Sequence, residues 1–155
     1  MTVAVLTACS GFLLAIVWMD LIFDVQVLRH RASPDELSEA VLASIANYYH
    51  RATTTSRPMS RLIAAVMLIL LSTLVFRAVS ADDPVWFTAV SATLAGVPIL
   101  LALFRTVPNA VRLGTRSDTS AEQARLARSI CSDHFLCGAL VFAFLVLWIA
   151  HTAVG

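Results

Sequence analysis

Four apolar stretches, at about residues 2–28, 58–79, 84–106 and 130–153, leave this chain few folds to choose from. At 1.5 Å of rise per residue, about 20 apolar residues cross the ~30 Å hydrocarbon core of a bilayer. In lipid only helices and closed barrels satisfy every backbone polar group, and runs of this length are helical. The expected fold is therefore all-α: an integral membrane antiparallel four-helix bundle, one domain over residues 1–155. Composition agrees, with 59 % of residues hydrophobic and 14 % charged, against about half and a quarter in a soluble domain. Met1-Thr2-Val3-Ala4-Val5 has no basic segment ahead of the first run, so that run is expected to be a retained span rather than a cleaved signal peptide.

A fifth helix is expected between the first two spans. Ser33-Pro34-Asp35-Glu36 reads as a helix start, with a serine cap, proline at the first position and acids at the positive end of the dipole. Leu37, Val41, Ile45 and Tyr48 then recur at i, i+4, i+8 and i+11, the stripe of an amphipathic helix over about 34–51. It is too polar to span, so it lies along the membrane surface or packs on the bundle. Residues 53–56 form a polar connector. Ser80-Ala81-Asp82-Asp83 reads as a tight turn, with Asp83 capping the third span and Pro84 at its first helical position. Pro98 should kink that span. The chain leaves the membrane through residues 104–112, with Gly114 as a natural stop. Thr119-Ser120-Ala121-Glu122 fits a capping box opening a last helix that reaches His151.

Charge sets the orientation. All eleven basic residues are arginine, which removes lysine chemistry and reads as a high-GC genome signature. Arg29, Arg31, Arg51, Arg57 and Arg61 fall between spans one and two, and Arg105, Arg112, Arg116, Arg125 and Arg128 between three and four. Only Arg77 lies between two and three. The positive-inside rule then places both long connections in the cytoplasm and both termini outside, in a bacterial inner membrane. Trp86 and Trp148 suit an outer aromatic belt. A net charge of +1 gives no electrostatic case for nucleic acid. Cys9, Cys131 and Cys137 are odd in number and include no Cys-x-x-Cys, which argues against a disulfide framework and thiol redox chemistry.

Most of the unusual polar residues fall at one level, the cytoplasmic half. Asp20 and Asp24 are spaced i,i+4 and share one face of the first helix, where an ionisable group is costly unless paired or facing water. Arg61 comes from the second span, Arg105, Asn109 and Arg112 from the third, Asp133 and His134 from the fourth. The outer half offers nothing comparable, and His151 is expected to be structural. His134 beside carboxylates can move a proton, with Asp20 and Asp24 as catalytic partners. The same three can hold a divalent metal, or the set can work without a cofactor. Arg61, Arg105, Asn109, Arg112 and Asp133 would bind substrate, the arginines gripping an anionic group. The Asp-x-x-x-Asp pair is similar to the metal-diphosphate motifs of membrane prenyltransferases, but the accompanying Asn and second Asp-rich motif are absent.

Val107-Pro108-Asn109 leaving the third span and Asp133-His134-Phe135 opening the fourth, in a four-span chain of this size, resemble the anthrone-oxygenase-like family of small membrane proteins. That resemblance implies a cofactor-free oxygenase acting on polycyclic aromatics, with Asn109 and His134 as the matching site residues. The expected function is thus an enzyme or binding protein with a cytoplasm-facing pocket for a lipophilic small molecule. A second expectation is a homo-oligomeric proton or metal-ion transporter or channel using Asp20, Asp24 and His134. A third is a structural or assembly partner of another membrane protein, with the 34–51 helix and its Tyr48-Tyr49 pair as docking surface.

Overall fold

The computed structural model describes residues 1–29, 37–80 and 83–154, and these residues form helices and short connections without a strand. Helix α1 is Thr2–Asp24, α2 Gln26–Arg29, α3 Glu39–Thr54, α4 Arg57–Ser80, α5 Val85–Leu101, α6 Val107–Thr115 and α7 Ser120–Val154, with a π-helical segment, Ala102–Thr106, joining α5 to α6. Four helical stretches are long and apolar enough to cross a membrane: Thr2–Leu28, Arg57–Ser80, Val85–Thr115 and Ser120–Ala153. The chain is a multi-pass membrane helical bundle.

Helix α7 is the centre of the bundle, with α1 and α5 packed along it. Helix α4 leans on α1 and buries only Leu70 and Leu74, so most of its surface is the apolar exterior of a helix in lipid. The non-spanning α3 lies against α6 and reaches α1 and α7. Two apolar clusters result. One, within the spans, holds Leu6, Leu13, Leu70, Phe87, Phe144 and Trp148. The other, at the α3 end, holds Val41, Leu42, Ile45, Leu113, Ala127 and Ile130.

Local departures from expectation have physical causes. The start at residues 33–36 lies outside the described residues, whereas Leu37 and Ser38 are described and not helical. Helix α3 begins at Glu39, capped by Ser38, whose Oγ accepts from the Val41 amide at 3.4 Å. It also runs on to Thr54, and the Thr53 and Thr55 hydroxyls donate back to the Tyr49 and Arg51 carbonyls at 2.8 and 2.9 Å. Asp83 does not cap α5. Its carboxylate is taken by Arg77, and Pro84 occupies the cap position. Thr119 does cap α7, its Oγ1 accepting from the Glu122 amide at 3.3 Å, while the Glu122 carboxylate turns to Arg125 instead of closing the box.

The helix of the third span continues past residue 106. Pro108 lacks an N–H, and its ring crowds the carbonyl four residues back, which an α-helix cannot accommodate unaltered. The chain widens to π spacing: the Val107 amide reaches Ala102 O, and Thr106 Oγ1 reaches Leu101 O at 3.4 Å. Helix α6 then continues to Thr115.

Gly114 is used for close approach. Arg116 takes the left-handed conformation that ends α6, at φ 52°. A Cβ on Gly114 would sit 3.0 Å from the His50 amide nitrogen and 3.1 Å from its Cα. Both are backbone atoms, so α3 and α6 would have to separate. Gly114→Ala is expected to destabilise the protein by about 1–3 kcal/mol, read as a lower unfolding midpoint in detergent. A midpoint at or above wild type would contradict this packing.

Candidate functional site

Between the two apolar clusters lies a layer of buried polar groups. Asp24, at the last position of α1, is 0 % exposed. Its Oδ1 accepts from the Tyr49 hydroxyl at 2.6 Å, and its Oδ2 lies 2.6 Å from His134 Nδ1. One turn earlier, Asp20 Oδ1 accepts from the Tyr48 hydroxyl, and its Oδ2 lies 3.7 Å from His134 Nε2. His134 therefore stands between the two carboxylates, one ring nitrogen toward each. The ring of Phe23 stacks on Tyr48 at 4.1 Å, and Tyr49 faces His134 at 6.5 Å. Three elements meet here: α1 supplies the carboxylates, α7 the imidazole and α3 the phenols.

The tyrosines are fixed donors. Burial, followed by the bond to Asp20, pushes the Tyr48 phenol above its ordinary range, and burial and Asp24 do the same to Tyr49. Both stay protonated at any physiological pH. Tyr48 and Tyr49 thus face inward rather than toward a partner. The apolar stripe of α3 is used in the same way, with Leu37, Val41 and Ile45 buried in the protein's own core. The docking surface expected on that helix is not free.

The remaining candidates separate. Asp133 is buried and accepts from Thr106 Oγ1 at 3.3 Å, with Arg105 Nε 3.4 Å from its Oδ2. Arg105 NH2 and Asn109 Nδ2 donate to Ser129 Oγ at 3.0 and 3.4 Å. Arg112 is held by Asp118 and Glu122 at 2.8 and 3.2 Å, at the turn into α7. Arg61 is exposed on α4 and takes part in none of these bonds. The structure brings Asp20, Asp24 and His134 together, sets Asp133, Arg105 and Asn109 in a neighbouring group, and leaves Arg61 and Arg112 outside both. Tyr48, Tyr49, Thr106 and Ser129 complete the layer. Matching the two adjacent phenols of α3 to two carboxylates one turn apart was the available sequence signal for the first pair.

Asp20, Asp24 and His134 line neither of two cavities found among the described residues. An apolar cavity of about 60 Å³ lies among α1, α4, α5 and α7, lined by residues that include Met67, Pro98 and Phe144. Ligand sites run to about 300–1,000 Å³. A wider open groove at the surface is lined by Val27, Leu28, Arg128, Cys131, Ser132 and Phe135, and Asp20, Asp24 and His134 are not among its walls. No cluster of three or more His, Cys, Asp or Glu placed to hold a metal ion occurs among the described residues. Cys9, Cys131 and Cys137 are all free and buried.

A second polar cluster closes the opposite end, where none was expected. Arg77 Nε and NH2 donate to the Asp83 carboxylate at 2.6 and 3.0 Å, and Arg77 NH1 donates to Thr2 Oγ1 at 3.3 Å. His151 Nε2 lies 3.4 Å from Asp83 Oδ1. The Arg77 guanidinium sits 5.0 Å over the Trp148 ring. Trp148 is consequently a core residue, 1 % exposed, rather than part of an aromatic belt, while Trp86 remains exposed. Arg77 holds the Asp83 carboxyl below the ordinary carboxylate range. A depressed native pKa contributes stability above the unfolded-state value, near pH 4, and that contribution is lost as pH falls through the native value. The stability difference between wild type and Asp83→Asn is therefore expected to be full at neutral pH and to shrink below about pH 4, followed as detergent unfolding midpoints. A difference independent of pH would contradict the pairing.

A family model described as ER membrane protein SH3, that of the SHR3 chaperones, matches residues 1–152. The chain belongs to this family. No curated protein and no solved structure matches it. The family match overturns the resemblance to the anthrone-oxygenase-like proteins, whose two matching residues have other work here: Asn109 bonds Ser129, and His134 bonds Asp24. It overturns the reading as an enzyme or binding protein for a lipophilic molecule, and the transporter reading with it. The match gives no support to the expected homo-oligomer. The bacterial inner membrane is corrected as well, since the family is described as one of the ER membrane.

Proposed function

We propose that this protein is a chaperone of the ER membrane that assists the folding or assembly of other polytopic membrane proteins. The match of the SHR3 chaperone family over residues 1–152 carries the reading. Most of the chain is span, so a client would be met largely within the bilayer. The outward faces of the spans are the surface available there, above all α4, where Leu68, Val75 and Phe76 are exposed. Positive-inside counting, applied to the ER, puts α3 and the α6–α7 turn in the cytosol and both termini in the lumen.

In this reading Asp20, Asp24, Asp133 and His134 do no chemistry on a substrate. Asp20, Asp24 and His134 fasten α3 to the spans, and Asp133 ties α7 to the π-helical segment of the third span, together fixing one arrangement of the helices, a role buried polar groups fill in some other proteins. The reading is tested by placing a photo-crosslinking amino acid at Leu68, Val75 or Phe76, with buried Leu74 as control, in cells pulse-labelled for new proteins. Adducts to newly made multi-span proteins, formed from the three exposed sites and lost during the chase, are the expected result. Adducts to lipid alone would contradict it.

A further inference from the structure

Seven of the arginines at the α3 end fall into two sets. Arg112 and Arg125 share Glu122 at 3.2 and 2.6 Å, Arg116 meets Glu39 at 2.6 Å, and Arg105 lies 3.4 Å from Asp133. Each has a carboxylate. By contrast Arg51, Arg57 and Arg61 are exposed, and none of their guanidinium groups has a hydrogen-bond or ion-pair partner among the described residues.

The fold gathers these three where α3 runs into α4. Ser60 Oγ donates to the Ala52 carbonyl at 3.3 Å, holding the first turn of α4 beside the last turn of α3. Arg57 and Arg61 are spaced i,i+4 and share a face of α4. Met59 and Leu62 stand exposed beside them, at 46 % and 47 %. Cations alternating with apolar side chains at the mouth of a spanning helix match the headgroup boundary of a bilayer, where charge meets phosphate and carbon meets acyl chain.

We infer that this corner is a contact site for anionic phospholipids, with Arg51, Arg57 and Arg61 meeting the headgroups and Met59 and Leu62 the upper acyl chains. Guanidinium is weakly hydrated and its fork of donors matches phosphate oxygens, so an unpaired arginine at this depth is suited to that ligand. Each basic residue near an anionic surface favours it by about fivefold. The paired arginines are already neutralised by protein carboxylates and contribute far less. An acidic peptide would satisfy the charges but leave the apolar side chains between them uncovered, which makes lipid the better fit. The site sets the depth and tilt at which α4 enters the membrane. It does not depend on the chaperone reading.

The test uses the full-length protein in phosphatidylcholine vesicles containing traces of spin-labelled phosphatidylserine or spin-labelled phosphatidylcholine, with the protein-immobilised fraction of each label measured by electron paramagnetic resonance. Wild type is expected to hold phosphatidylserine over phosphatidylcholine by about fivefold or more at low salt, the preference falling as salt screens it. The triple variant R51Q/R57Q/R61Q should approach parity. The triple R51K/R57K/R61K should keep most of the preference, and R112Q/R116Q should keep all of it. Because the three positions are exposed, the glutamine variant is expected to keep the wild-type helical content. Absence of a preference in wild type, its survival in the glutamine triple, or an equal loss in R112Q/R116Q would each overturn the assignment.

Discussion

Asp24→Ala is expected to destabilise the α3 end of the protein by about 3–5 kcal/mol, the cost of removing one partner from a buried charged network. Asp24 is fully buried and accepts from both Tyr49 and His134, so the variant strands two polar groups of two different helices at once. The milder Tyr49→Phe removes one donor and leaves His134 in place, which should cost about 1–3 kcal/mol. The damage should also be local. In hydrogen exchange, α3 amides are expected to lose protection, whereas those around Leu6 and Phe144, in the other apolar cluster, should change much less. Uniform loss of protection in both clusters, or no measurable loss in α3, would contradict a fastening role for the layer.

Trp148→Ala should be the most damaging change at the opposite end. In lipid the water-exclusion part of the large-to-small penalty is weak, because the chain exchanges one apolar surrounding for another. The cavity and the lost dispersion contacts remain, and for a residue of this size about 3 kcal/mol is expected. The rings of Phe87 and Phe144, at 4.9 and 6.1 Å, would face the void, and Arg77 would lose the ring beneath it. Trp86→Ala is the matched control, since that side chain is 64 % exposed, and should change stability by no more than about 0.5 kcal/mol. Equal effects of the two substitutions on the detergent unfolding midpoint would mean that the core at this end is misplaced.

The spans were legible because the bilayer imposes a length that a chain cannot hide: four apolar runs in the sequence became four crossing helices. The inward stripe of α3 was legible too, from its 3.6-residue period. What periodicity could not tell was which surface the stripe would meet, so Tyr48 and Tyr49 read as a docking face where the structure makes them partners of Asp20 and Asp24. The stop near Gly114 was legible from that glycine, whereas the widening to π spacing that carries the helix through Pro108 was not, because it depends on neighbours. The Arg77–Asp83–His151 cluster draws on three positions spread over 75 residues, none unusual alone. His134 stood out because a histidine opening a span beside Asp133 is hard to explain by packing, but two short motifs around it and Pro108 were too little to carry a family. Arginine counts orient a chain relative to the cytosolic side of a membrane and do not name that membrane, so they could not separate a bacterial inner membrane from the ER.

The central claim, a chaperone role for membrane proteins in the ER, is tested most directly by depleting the protein from its own cells and following newly made multi-span proteins in the ER membrane. Pulse-labelling with detergent solubility as readout separates folded from aggregated clients. The expected result is that a defined set of these proteins becomes insoluble and stays in the ER on depletion and is restored by the wild-type chain, while single-span and lumenal proteins mature normally. Unchanged solubility and ER exit of every multi-span protein after full depletion would contradict the claim.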